Sequence, residues 1–123
     1  DTAASVVLTE EIIGLIAHVK QYISLNQPYR KEKFNIESIS KDLDVPQHHI
    51  AYLFKHILKK SFVDYRNELR VNHVIESIRK GLHHEVTMES LGTDAGFGSK
   101  VSFFTVFKKV IGQTPKQYAE NLK

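Results

Sequence analysis

Residues 88–118 read MESLGTDAGFGSKVSFFTVFKKVIGQTPKQY, and this stretch decides the fold. Thr87 is placed to cap a short helix that begins at Met88. The turn Ala95-Gly96-Phe97-Gly98 follows, and Ser99 stands where the N-cap of a second helix belongs. Within that second helix Phe103, Val106, Phe107, Val110 and Ile111 fall at helical spacing, which predicts one buried face. Lys108 and Lys109 occupy its last turn, where cations complement the unpaired carbonyl end. Gly112 sits where a left-handed cap closes a helix, and Thr114-Pro115 stops the pattern.

Upstream, residues 1–8 read as a tail or linker. Thr9 is placed to cap the first helix, with Glu10 and Glu11 in its opening turn. Leu8, Ile12, Leu15, Ile16, Val19, Tyr22 and Ile23 give that helix a buried stripe. Asn26-Gln27-Pro28 ends it, and the polar run 29–33 predicts a solvated loop. Asn35 caps a short helix with Ile36, Ile39 and Leu43 inward, and Asp44-Val45-Pro46 makes a turn. Residues 47–58 predict the next helix, with Ile50, Leu53, Phe54 and Ile57 as its inner face. The longest helical pattern covers 62–80, a span of about 28 Å at ~1.5 Å per residue, with Gly81 as its cap. Strand-like alternation is absent from the sequence. The expected fold class is therefore all-α.

The chain also resembles itself. Glu37-Ser38-Ile39 matches Glu89-Ser90-Leu91, and with one residue inserted at the turn Ile50 matches Phe103. Leu53-Phe54-Lys55 then matches Val106-Phe107-Lys108, Ile57-Leu58 matches Val110-Ile111, Ser61 matches Thr114, and Tyr65 matches Tyr118. Two helix-turn-helix units joined by the 62–80 helix are the result, divided as 9–80 and 81–123. The second helix of such a unit commonly enters a DNA major groove, and successive grooves on one face of DNA lie about 34 Å apart. A linker of this length lets one chain offer two recognition helices, 47–58 and 99–111, without a dimer axis. Two departures mark the first copy. Pro46 stands in the place of Ser99 and offers no capping oxygen, and Lys59 stands in the place of Gly112.

Composition narrows the classes. At 123 residues the chain makes one domain or two small ones, and a hydrophobic fraction of 41% fits a folded protein. It has no cysteine, which removes disulfides, thiolate zinc sites and thiol nucleophiles. No apolar run approaches the ~18 residues of a membrane span, and the first residues lack the pattern of a signal peptide. A cytoplasmic location without membrane contact is expected, and the initial Asp implies a piece of a longer or processed protein. Net charge is +3 and the pI about 9.1, a mildly basic balance that permits nucleic-acid binding.

Gly96-Phe97-x-Ser99, Phe103, Phe107-Lys108-Lys109, Gly112-x-Thr114-Pro115 and Tyr118 resemble the second-unit signature of AraC/XylS-type transcription regulators. Ile39, Val45, Ile50, Leu53-Phe54-Lys55, Phe62, Tyr65 and Arg70 resemble the first unit, so the likeness covers about residues 9–120. It implies an all-α fold of about seven helices, the C-terminal DNA-binding domain of a bacterial regulator, with double-stranded promoter DNA as partner and a sensing domain elsewhere in the full-length protein. RNA polymerase is a further candidate partner, and no cofactor is implied. Carried over position by position, the resemblance assigns base-edge contacts to Gln47, His48, Ala51 and Tyr52 in the first unit. In the second it assigns them to Lys100, Val101, Phe104 and Thr105. Phosphate contacts fall to Lys55, Lys59, Lys60, Ser99, Lys108 and Lys109, while Arg70 matches a structural position. Family members often carry Arg or Gln where Tyr52 and Thr105 stand, so readout here leans on Gln47, Lys100 and apolar contact with thymine methyls. Phe104 either joins that apolar contact or widens the core.

Other chemistries fit poorly. His48 and His49 are adjacent and point about 100° apart on a helix, and His83-His84-Glu85 has no further ligand nearby in sequence, so no metal site is expected. Gly96-Phe97-Gly98-Ser99-Lys100 lacks both the spacing and the preceding strand of a phosphate-binding loop. No Ser-His-Asp order or carboxylate pair points to an enzyme. The competing reading is a helical protein-interaction module that keeps the fold and binds DNA weakly or not at all.

Overall fold

The computed structural model describes the backbone of residues 2–122 and the side chains of residues 10–122. Among the described residues it is all-helical: α1 (Thr2–Asn26), α2 (Ile36–Leu43), α3 (Gln47–Tyr52), α4 (Phe62–Arg79), α5 (Met88–Asp94), α6 (Lys100–Ile111) and α7 (Pro115–Asn121). Short 3-10 turns occupy Pro28–Arg30 and Leu82–His84. The backbone is helical from Thr2, so α1 passes through Thr9 where a cap was expected and takes up the stretch read as a tail. Leu8 lies outside the described side chains. A left-handed Gln27, at φ 46°, ends α1 one residue before Pro28.

The capping predictions explain most other boundaries. Asn35 accepts from the Ser38 amide and Ser38 Oγ accepts from the Asn35 amide, closing both ends of a capping box at α2. Thr87 caps α5 through Ser90 N at 3.1 Å. Thr114, expected only to stop the preceding pattern, instead caps a further helix, α7, through Gln117 N at 3.1 Å. α3 behaves differently. It continues without a break into a π-helical turn at Leu53–Leu58, whose wider winding departs from the 3.6-residue period. Ile57, expected inward, is consequently 36% exposed, while Leu53 and Phe54 stay buried. In α6 Phe103 and Phe107 are buried as expected, whereas Val110, in the last turn, falls outside the packed cluster and is 41% exposed.

The chain divides into two compact units, and the division does not follow the sequence repeat. One unit holds Asp1–Pro28 and Phe34–Phe62; the other holds Tyr29–Lys33 and Val63–Lys123. In the first, Val19, Tyr22, Ile23, Phe34, Ile39, Ile50, Leu53 and Phe54 are buried. The Phe62 ring meets Phe34 at 5.0 Å and Phe54 at 5.5 Å, and Tyr22 donates a hydrogen bond to Asp42 that ties α1 to α2. In the second, Val71, Val74, Ile75 and Ile78 of α4 pack with Leu91, Ala95, Phe97, Phe103 and Phe107. The helix expected to close the first segment thus belongs, from Val63 onward, to the second unit's core.

The 29–33 segment exposes Arg30, Lys31, Glu32 and Lys33 as a solvated loop does, but it is pinned at Tyr29 and along its backbone. Tyr29 is buried, and Arg70, itself only 4% exposed, donates to the carbonyls of Tyr29, Lys31 and Glu32 at 2.8, 2.9 and 3.3 Å. One buried guanidinium therefore satisfies three backbone acceptors that a polar loop would leave to water. Gly96 makes room for this arrangement. It sits at φ 110°, and a Cβ there would stand 2.3 Å from the Tyr29 carbonyl oxygen.

Asp94 holds the same segment from the other side. It takes hydrogen bonds from Arg30 and from His73 Nε2, and Tyr29 Oη lies 3.1 Å from His73 Nδ1. Partial burial alone would raise the Asp94 carboxyl, but the bonds from Arg30 and His73 outweigh it and hold the pKa below the ordinary value. A carboxylate lowered on folding contributes stability above its unfolded pKa of about 3.9 and loses it as pH falls through the folded value. We expect urea midpoints of the native chain to fall on acidification below about pH 4, and the slope in that window to be shallower in Asp94→Asn. Equal slopes would show that Asp94 carries none of the acid sensitivity.

Candidate nucleic-acid interface

The two helices singled out by the repeat expose most of the side chains assigned to DNA. In α3, Ile50 turns inward and anchors the helix, leaving Gln47, His48, Ala51 and Tyr52 exposed. Pro46 provides no side-chain cap, and its carbonyl accepts from His49 N at 3.0 Å instead. Tyr52 is 51% exposed, and its ring lies 4.6 Å from that of His56, four residues on. The His48 and His49 rings meet edge-on at 4.4 Å.

The π-helical turn positions the lysines of this unit. It closes on Lys59 at φ 51°, the left-handed cap that the sequence gives to lysine where the second copy has glycine. Lys60 N then reaches back to the Phe54 carbonyl at 3.2 Å. Lys55, Lys59 and Lys60 line one concavity of about 470 Å³ with Ala51 and Ser61, floored by Phe54 and Phe62. Three lysines thus border the same concavity as Ala51.

In α6 the Ser99 hydroxyl oxygen accepts from Ser102 N at 3.1 Å, so its proton stays free to donate. Lys100, Val101 and Thr105 are exposed, Val101 to 74%. Phe104 is half-buried, packs against the second unit's core and sits 4.9 Å from the Phe103 ring, so its ring widens that core. Lys108 and Lys109 are exposed at the helix end, which Gly112 closes at φ 86° by bonding to the Lys108 carbonyl. Lys100 Nζ lies 3.5 Å from Glu89, an acid on α5 that the sequence reading did not connect to it. The pair joins two exposed side chains, so it holds Lys100 only loosely. The Tyr52–His56 ring contact is a pairing that four-residue spacing on one helix permits.

A family model described as a helix-turn-helix domain matches residues 39–121, from the buried face of α2 to the end of α7. The chain belongs to the AraC-type helix-turn-helix family, whose members are DNA-binding transcription regulators. Three solved structures share the fold of this AraC-type chain. The C-terminal domain of AraT, a response regulator from Geobacillus stearothermophilus, is 23% identical with a TM-score of 0.72, covering 87% of this chain and 84% of its own. A Listeria innocua protein of unknown function is 23% identical with a TM-score of 0.70, covering 88% and 97%. The C-terminal domain of the two-component response regulator yesN from Fusobacterium nucleatum is 26% identical with a TM-score of 0.66, covering 83% and 98%. No curated protein matches the chain at a significant level.

Proposed function

We infer that this AraC-type domain binds double-stranded DNA sequence-specifically and reads successive major grooves with α3 and α6. The observation that carries the reading is the doubled frame. Each unit buries one face of its second helix, on Ile50 in α3 and on Phe103 and Phe107 in α6, and exposes polar and small side chains opposite it. Gln47 suits adenine, Lys100 suits guanine, and Ala51 and Val101 suit thymine methyls; His48, Tyr52, Thr105 and the exposed edge of Phe104 complete the set. Lys55, Lys59, Lys60, Ser99, Lys108 and Lys109 bind phosphates and fix the register. The chain supports two-groove reading by carrying two such helices, so that no dimer axis is needed. Its likeness to response-regulator C-terminal domains supports a sensing or receiver domain in the full-length protein and action on promoters in the cytoplasm, with RNA polymerase as a candidate contact.

Selection of duplexes from a random pool, followed by salt titration and footprinting of the winner, tests this. An enriched site, a steep negative log–log salt slope and two protected patches one helical turn apart are expected. No enriched duplex, with no binding at low salt, would favour the protein-interaction module instead. Two variants separate the roles. Lys108→Ala should weaken binding to every duplex about equally and reduce the salt slope by about one. Gln47→Ala should relax preference at one base pair by about 1–3 kcal/mol and leave non-specific affinity unchanged. If both variants act alike, the division between phosphate and base contacts is wrong.

A further inference from the structure

Within the first unit, α1 and α3 leave between them a cavity of about 540 Å³. Ile12 and Leu15 of α1 and Val45, from the turn before α3, give it apolar walls. Glu11, His49 and Tyr52 add a carboxylate, an imidazole and a phenol to the same lining. The volume falls within the ~300–1,000 Å³ of small-molecule sites, which likewise combine apolar walls with a few polar groups. Glu11 forms no ion pair with any described residue. The cavity therefore offers one uncompensated negative charge, an aromatic ring and an apolar bed.

We propose that this cavity binds an organic cation: an amine or quaternary ammonium carried on an apolar body. Ile12, Leu15 and Val45 take the body, and Glu11 takes the charge. The Tyr52 ring presents an electron-rich surface that attracts cations. An anion of the same shape would meet Glu11 with like charge, and a neutral molecule would leave the carboxylate unmatched. Tyr52 is also one of the proposed base contacts, so cation and DNA compete for one side chain. That competition rests on the DNA-binding reading; the cation site itself does not. By reciprocity of linked equilibria, a cation that lowers DNA affinity must be bound less tightly by the DNA complex, in the same ratio.

Three probes with one apolar body and different head groups test the site: phenylbutylamine, phenylbutanol and phenylbutyrate, titrated into the free chain and followed by the methyl resonances of Ile12, Leu15 and Val45. For ligands this small, dissociation constants on the order of millimolar are expected. The amine should bind about fivefold tighter than the alcohol, the scale of one partly exposed charge contact, with phenylbutyrate weakest. Glu11→Gln should bring amine and alcohol to near parity, the amine losing its advantage of about fivefold. An amine no tighter than the alcohol, discrimination that survives Glu11→Gln, or no saturable shift at these methyls would overturn the site. In a second arm, the amine should weaken binding to the selected duplex, and should lose that effect in Glu11→Gln. An amine that fills the cavity with no change in DNA affinity would overturn the competition for Tyr52. Failure to select any duplex would instead count against the DNA-binding reading, with the cation titration still decisive for the cavity.

Discussion

Phe103→Ala should cost about 3–5 kcal/mol of folding stability, the range for deleting a fully buried phenylalanine. Phe103 is 1% exposed and touches three other rings, with centroids 5.3 Å from Phe97, 4.9 Å from Phe104 and 6.0 Å from Phe107. Val71, Val74, Ile75 and Ile78 of α4 and Leu91 of α5 are buried in the same cluster. A loss of this size is a large share of the ~5–15 kcal/mol that holds a domain together. Urea unfolding followed by circular dichroism reads it as a lower midpoint at unchanged slope. A cost below about 1 kcal/mol would mean that the site collapses freely and that the cluster is not the rigid core described.

Arg70→Met is the second large effect, expected near 3 kcal/mol. Methionine keeps an unbranched stem of similar length and removes the guanidinium, stranding the carbonyls of Tyr29, Lys31 and Glu32. Hydrogen bonds from a charged donor are each worth about 1.5–3 kcal/mol, and an unpaired buried acceptor costs about 1–3 kcal/mol. The sum is trimmed because the charge itself is unwelcome there. Burial, followed by repulsion from Arg66, lowers the Arg70 pKa to about 10, so the side chain still carries its proton at neutral pH. Arg70→Lys should recover less than half of the loss, since one ammonium cannot reproduce the fork that reaches three carbonyls. Hydrogen exchange at residues 29–33 distinguishes this from general softening: protection should vanish there first. An Arg70→Met protein with native stability would show that the three bonds only balance the cost of burying the charge.

Much of this structure could be read from local sequence. Asn35, Thr87 and Ser99 are short polar side chains placed just before apolar periodic runs, and each caps a helix as that chemistry requires. The buried phenylalanines of α6 and the internal repeat follow from spacing alone. What escaped notice depends on partners remote in sequence. Tyr29 looks polar and solvated until Arg70, 41 residues away, takes its carbonyl. Asp94 looks like a helix-end acid until Arg30, 64 residues back, reaches it. The π-helical turn has no such partner to blame: an apolar pattern fits both windings as far as Phe54 and separates only at Ile57. Most of the candidate surface was legible because it is simply the complement of the buried face. The exceptions were the Tyr52–His56 stack, the Glu89–Lys100 pair and the cavity beside Glu11, which arise from how side chains and helices settle against one another.

The captured 29–33 segment gives the chain a history as well as a shape. A ribosome delivers Tyr29 first and Arg70 41 residues later, a wait of about 2–8 s at ~5–20 residues per second. Throughout that interval the three carbonyls lack their donor, while α2 and α3 are already made. The second unit therefore closes last, on a piece made early. A gene cut before Val63 would encode α4 to α7 without the backbone oxygens that Arg70 was placed to meet. In this protein the boundary that matters for dissection is drawn by a guanidinium, and it does not coincide with the boundary between repeats.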